Sequence, residues 1–180
     1  MNAIVKKPEA ETLLDGADTA REQPFRLCFV CTGNTCRSPM AAAVANAIVH
    51  TPEFQRTSPR PIEAYSAGLY AVAGDPISSN ACLALERAGI QPDAARDYRK
   101  HRAHTLTQEE AERYDLLVGI SDGHAMELIL RFPSLASRVT AMDPPIADPY
   151  GGDLARYERA LCDIVTGVRN LLNIPNEDTV

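Results

Sequence analysis

The run Cys31-Thr32-Gly33-Asn34-Thr35-Cys36-Arg37-Ser38 constrains this chain more than any other. It sets a cysteine, five residues and an arginine between an apolar run and a helix start. The upstream residues, Arg26-Leu27-Cys28-Phe29-Val30, read as a buried strand over 26–30. Downstream, Ser38 is a good N-cap and Pro39 suits the first helical position, so a helix is expected from Ser38 to about His50. Gly33 and Asn34 tolerate the backbone angles of a tight turn. In such a strand–loop–helix unit the loop N–H groups converge on one point, and the helix N-terminus adds partial positive charge. That is an anion site. Arg37 adds a two-pronged donor for phosphate oxygens. Cys31 lies at the base, where the field favours the thiolate. A thiolate facing a bound phosphoryl group is a nucleophile facing its electrophile.

The rest of the chain alternates strand and helix signals. Three prolines mark residues 51–61 as a loop, and a second strand is expected over about 62–66, stopping at Ala67-Gly68. A helix over 77–89 places Ala81, Leu85 and Ala88 at helical spacing and ends at Gly89. After a polar stretch from Gln91 to His104, Thr107 and Glu110 form a capping-box pattern for a short helix. Residues 116–120 read as a third strand, Asp122 as the cap of a helix ending near Phe132-Pro133, and 138–142 as a fourth strand. The last helix begins near Asp153, with Leu154, Tyr157, Leu161, Ile164, Val165, Val168 and Leu172 on one face. Four strands separated by helices predict an α/β fold: a single domain with a four-stranded parallel sheet, order 2-1-3-4, and helices on both faces. The domain is expected over residues 25–175, with a flexible N-terminal tail at 1–24 and a C-terminal tail at 176–180. The phosphate loop would then leave the carboxyl end of strand one, where open α/β sheets bind ligands.

Expelling a leaving group from phosphorus needs a proton donor on a loop at that same end. Two Asp-Pro pairs compete, Asp143-Pro144 and Asp148-Pro149. Asp143 directly follows strand four and is spent on ending it. Asp148 lies in Asp148-Pro149-Tyr150-Gly151-Gly152. There Pro149 holds Asp148 extended, and the glycines let the loop fold towards the pocket.

Composition narrows the partners. The 180 residues carry a formal net charge of −6, which argues against a nucleic-acid partner. No apolar run approaches the roughly 18 residues of a membrane span, and the first residues do not read as a signal peptide. Five cysteines without framework spacing argue for a reducing, cytoplasmic setting. No C-x2-C pair or spaced histidine cluster suggests a metal. Cys82 and Cys162 fall in expected helices and read as core.

The segment Phe29 to Ala41 resembles the N-terminal signature of the low-molecular-weight protein-tyrosine-phosphatase family almost residue for residue. The resemblance covers about residues 26–173. It implies a small α/β phosphatase that cleaves phosphorylated proteins through a cysteinyl-phosphate intermediate, releasing inorganic phosphate without metal or organic cofactor. By this likeness Cys31 is the nucleophile, Arg37 the phosphate-binding arginine and Asp148 the general acid. Thr32, Gly33, Asn34, Thr35, Cys36 and Ser38 form the binding loop, Ser38 stabilising the thiolate and Asn34 holding the loop's shape. Tyr150 matches an aromatic of the pocket wall. Ser66-Ala67-Gly68 and His101-Arg102-Ala103 match smaller family segments, the second of which packs the phosphate loop. The sequence departs from the family pattern at Ala42, where a glutamate is usual, at Lys100, where a serine is usual, and at Gly151, where animal members carry a second tyrosine. Members act on phosphotyrosine or, in one bacterial branch, on phosphoarginine. Thr35 resembles the arginine branch, whereas Tyr150 suits either substrate. An arsenate reductase of the same fold and a non-catalytic phosphoprotein-binding module are the alternatives.

Overall fold

The computed structural model describes residues 23–92 and 94–175. The expected tails therefore fall outside the described residues, except for Gln23 and Pro24. Strand β1 (Phe25–Cys31) pairs in parallel with β2 (Ile62–Gly68) on one side and β3 (Leu116–Gly119) on the other, and β4 (Val139–Ala141) pairs in parallel with β3. The order is β2-β1-β3-β4, as the sequence predicts. Because side chains alternate along a strand, the central β1 feeds two cores. Phe29 and Cys31 enter the core built by helices α1 (Arg37–Val49), α3 (Ser79–Arg87) and α6 (Leu154–Leu171). Cys28 and Val30 enter the opposite core, under α4 (Gln108–Ala111) and α5 (Asp122–Arg131). Helices thus cover both faces.

Five local readings are corrected. Helix α1 starts one residue before Ser38. Its N-cap is Cys36, which makes no side-chain capping bond, and Pro39 stands in the third helical position. The Ser38 hydroxyl faces inward and is used elsewhere, as described below. Residues 52–57 are not loop but a short helix, α2 (Pro52–Thr57): Thr51 caps it through the Phe54 N–H, and Pro52 occupies a first-turn position where no donor is needed. The cap of α5 is Ser121, not Asp122, because β3 ends at Gly119 and the chain turns one residue sooner. Gly119 is required there, since a Cβ would fall 2.4 Å from the Ala125 nitrogen. Finally, Cys162 is exposed and is not core, whereas Cys82 is half-buried and packs against the first core from its edge. The cap at Thr107 is present, but the Glu110 carboxylate turns away to His104 and Tyr114.

Candidate active site

The loop between β1 and α1 owes its shape to bonds that consume its carbonyls. The Cys31 and Thr32 carbonyls accept from the N–H groups of Leu69 and Tyr70, the Thr35 carbonyl from Ser78, and the Asn34 carbonyl from His101 Nε2 at 2.7 Å. Among the described residues, no acceptor takes the amide hydrogens of Gly33, Thr35, Cys36 or Arg37. Backbone polar groups away from water need partners. A loop with its carbonyls bonded and four amides open is a receptor for an anion.

Asn34 holds this shape. It is fully buried with φ of 55°, a left-handed conformation that asparagine tolerates better than most residues. Its amide nitrogen donates to Ser38 Oγ and Ser66 Oγ, both at 3.0 Å, and its side-chain oxygen accepts from the His104 N–H at 3.2 Å. The residues after β2 close against the loop because Gly68 has no side chain: a Cβ there would sit 2.9 Å from the Thr32 carbonyl. Burial lowers the pKa of His101 and keeps the ring neutral, its Nε2–H being the donor to Asn34. The expected packing of the 101–103 segment on the loop is thus present.

Cys31 is buried at the loop's base, 3% exposed. Its sulfur lies 3.0 Å from Ser38 Oγ and accepts from the Asn34 N–H at 3.3 Å. Both groups can donate to a thiolate, the Ser38 hydroxyl by turning its proton from the Ala67 carbonyl, which accepts it at 3.3 Å. Arg37 is also buried. Its Nη2 donates to Asp148 Oδ2 at 2.6 Å, while its Nε is buried and meets no acceptor among the described residues. Asp148 stands at the mouth with its side chain half exposed, and its other oxygen accepts from the Tyr150 N–H. Gly151, at φ of 72°, provides the left-handed turn that brings this loop back towards α6. Asp143 lies apart: its carbonyl accepts from Asn170 on α6, and it does not line the cleft.

One cleft of about 280 Å³ gathers Cys31, Thr32, Gly33, Thr35, Cys36, Arg37, Asp148 and Tyr150. Asn34 and Ser38, expected among the binding residues, lie beneath its floor rather than in its lining. Tyr70, Val72 and Asp75 complete the wall. Their segment, just after β2, carried no sequence signal. His124 is a further residue that sequence reasoning missed. Its Nε2 lies 3.0 Å from Thr32 Oγ1 and its Nδ1 2.7 Å from Ser121 Oγ. Burial and the nearby Arg37 hold this imidazole below its ordinary value, so it is neutral at pH 7 and can steady the Thr32 hydroxyl. The available signal was position: the first turn of a helix that follows a central strand lies at the ligand end of the sheet.

Cys36 shares the cleft with Cys31, its sulfur 3.3 Å from Tyr157 Oη. Burial and the Cys36 sulfur push the Tyr157 phenol up to about 12, so it stays a neutral hydrogen-bonding partner. Mild peroxide is expected to convert Cys31 to a sulfenic acid; the Cys36 sulfur then attacks the Cys31 sulfur, and the sulfenic hydroxyl leaves as water with the Cys36 proton, forming a disulfide. Peptide mapping checks this. A Cys31–Cys36 cross-link cleaved by thiols is the expected result, and recovery of Cys31 as sulfinic acid beside free Cys36 refutes it.

The family model described as low molecular weight phosphotyrosine protein phosphatase matches residues 26–179. The protein-arginine-phosphatase of Geobacillus stearothermophilus is 32% identical over 155 residues, which cover 82% of this chain and 94% of that protein. A low molecular weight protein-tyrosine-phosphatase of Streptomyces coelicolor is 33% identical over 152 residues, covering 76% of this chain and 85% of that protein. Among solved structures, a YwlE arginine phosphatase whose mutated active-site serine is phosphorylated superposes with a TM-score of 0.71 at 26% identity, covering 83% of this chain and 94% of that one.

Proposed function

The chain belongs to the low molecular weight phosphotyrosine protein phosphatase family and is a phosphoprotein phosphatase, and from that premise we propose that Cys31 is its nucleophile, Asp148 its general acid and phosphoarginine its preferred substrate. The observation that carries the chemistry is the cleft itself: a buried cysteine sulfur, open loop amides, Arg37 and Asp148 converge on one space.

The cycle follows from the geometry. An arriving phosphoryl group places its equatorial oxygens on the loop amides and on the Arg37 guanidinium, including the Nε that lacks a partner. Arg37 then exchanges its bond to Asp148 for the phosphoryl oxygens, which frees Asp148 to take a proton from solvent and to meet the leaving atom as a carboxylic acid. The Cys31 sulfur attacks phosphorus in line as the bond from phosphorus to the leaving nitrogen or oxygen breaks, and Asp148 gives that atom a proton. Asp148, now a carboxylate, takes a proton from water. The water oxygen displaces sulfur, and inorganic phosphate leaves with the thiolate restored.

Support for the arginine substrate comes from Thr35, which lines the cleft with its hydroxyl 3.6 Å from the Cys36 sulfur, and from the likeness to protein-arginine-phosphatases. A small hydroxyl side chain leaves room and polarity for a guanidinium. Phosphotyrosine is the second reading, favoured by the exposed rings of Tyr70 and Tyr150 at the mouth, against which a phenyl ring can stack. The arsenate-reductase alternative needs a further redox pair near the nucleophile. Cys82, on α3, and the exposed Cys162, on α6, lie outside the cleft, and Cys28 is buried in the opposite core. A cytoplasmic setting is supported by the five free cysteines. Among the described residues no helix is long and apolar enough to cross a membrane.

The test is a side-by-side assay of phosphoarginine and phosphotyrosine peptides on the wild type and Thr35→Ile. Isoleucine adds apolar bulk and removes the hydroxyl, which desolvates a guanidinium at a cost of about 1–3 kcal/mol. The expected outcome is a shift of the kcat/KM ratio towards phosphotyrosine by about ten-fold or more, each 1.4 kcal/mol being a factor of ten. A wild type inactive on phosphoarginine, or an unmoved ratio, refutes the role given to Thr35.

A further inference from the structure

We propose that Asp75 is a specificity-determining residue, its carboxylate receiving the guanidinium of the substrate at the mouth of the cleft; this deepens the phosphoarginine reading and rests on it. Three charged residues line the cleft, Arg37, Asp75 and Asp148. Arg37 and Asp148 are paired with each other. Asp75 is exposed, and no hydrogen bond or ion pair engages its carboxylate among the described residues. It is the uncompensated charge of the lining.

Its backbone is nonetheless fixed. The Asp75 N–H donates to the Val72 carbonyl, and the Asp75 carbonyl accepts from the Ala103 N–H at 2.8 Å. Gly74, at φ of 90°, sets the turn and donates to the Ala103 carbonyl, and Pro76 pairs antiparallel with Arg102. The segment that carries the carboxylate is therefore tied to the same 101–104 stretch that braces Asn34 and the phosphate loop. The backbone that carries the carboxylate is held at a defined place on the wall, so the side chain starts from a fixed point beside the cleft.

A bare carboxylate beside an anion site is unfavourable for any ligand that brings only negative charge, since like charges near one another oppose binding. It becomes favourable when the ligand carries its own cation just outside the phosphoryl group. N-phosphoarginine does so. The nitrogen bonded to phosphorus belongs to a planar cation whose remaining N–H donors point away from phosphorus, towards the wall, and a carboxylate matches such a fork. The exposed ring of Tyr150 at the same mouth adds a surface that attracts a cation, whereas the Tyr70 ring already carries the Arg131 guanidinium at 4.7 Å. The floor of the cleft thus suits an anion and its rim a cation. Phosphotyrosine offers the rim neither a positive charge nor a donor.

Asp75 also precedes a proline, and an aspartate there could serve the turn alone. Asparagine serves such a turn equally well, so Asp75→Asn removes the charge and keeps the turn. The experiment measures kcat/KM of wild type, Asp75→Asn and Asp75→Glu on phosphoarginine and phosphotyrosine peptides with identical flanks, at low and at high salt. Asp75→Asn is expected to lower kcat/KM on phosphoarginine about five-fold or more, chiefly through KM, and to raise it about two-fold on phosphotyrosine, because one charge is lost at a partly solvated site. Asp75→Glu should recover part of the phosphoarginine activity. The wild-type preference should weaken as salt rises, and that of Asp75→Asn should not. An unchanged ratio, or an equal loss on both substrates, overturns the proposal while wild-type phosphoarginine activity leaves the parent reading standing. A wild type that does not turn over phosphoarginine overturns that reading, and the proposal with it.

Discussion

Cys31→Ser is expected to lose turnover on every substrate, to below about a hundredth of wild type, while the cleft still binds phosphate. The two effects separate because two sets of atoms are involved. Binding rests on the loop amides and the Arg37 guanidinium, none of which belongs to the Cys31 side chain. In the mechanism proposed above, chemistry rests on the sulfur, beside which the Asn34 N–H and the Ser38 hydroxyl are donors suited to a thiolate. A serine oxygen in that place holds its proton far more tightly than sulfur does, and nothing beside it acts as a base: its neighbours are a hydroxyl and an amide. The loss is one of nucleophilicity, and an obligatory nucleophile cannot be bypassed by the rest of the site. Steady-state assays give the first half of the result. Calorimetric titration with inorganic phosphate, or the rise in melting temperature that phosphate produces, gives the second. Residual turnover above that level would mean that another group attacks phosphorus. Loss of phosphate binding would mean that the sulfur organises the loop.

The parts of this site that the sequence revealed are those whose signals are local. Cys31, Arg37 and the strand and helix around them lie within one short run, and each has its own marker in residue type and spacing. The Asp148 loop is marked by its proline and glycines, and the structure brings it within 2.6 Å of Arg37. The order of the sheet follows from alternating strands and helices, because parallel strands need crossovers. What stayed hidden depends on tertiary partners. Ser38 reads as a cap, but its hydroxyl is more useful under the Cys31 sulfur, and the helix starts earlier with its first amides left for a ligand. His124 means nothing until α5 is laid beside Thr32. Three prolines made residues 51–61 look like loop, although Pro52 sits where a helix accepts one. The exposure of Cys162 is legible in the sequence. The residue follows Leu161, so helical spacing alone turns it about 100° from that buried neighbour.

Asp148→Asn is expected to slow substrates with poor leaving groups by about 10²–10⁴-fold and activated aryl phosphates far less. The reasoning starts from the bond that breaks. An alkylguanidine or a tyrosine phenol departs as an unstable anion or strong base unless it takes a proton, whereas an activated phenol leaves unaided. Asparagine keeps the shape of the side chain but has no proton to give and cannot later activate water. It also cannot form the ion pair with Arg37, so the guanidinium is left free for phosphate. Phosphate affinity in the variant should therefore hold or improve while turnover falls, an outcome that general unfolding cannot produce. Asp143→Asn is the control. That residue lies outside the cleft, with its carbonyl bonded to Asn170, and its variant should show no dependence on the leaving group. If Asp143→Asn shows the steep dependence and Asp148→Asn the flat one, the acid has been assigned to the wrong carboxylate. If both are flat, the proton comes from solvent. The close pairing of Asp148 with Arg37 would then serve only to position the guanidinium.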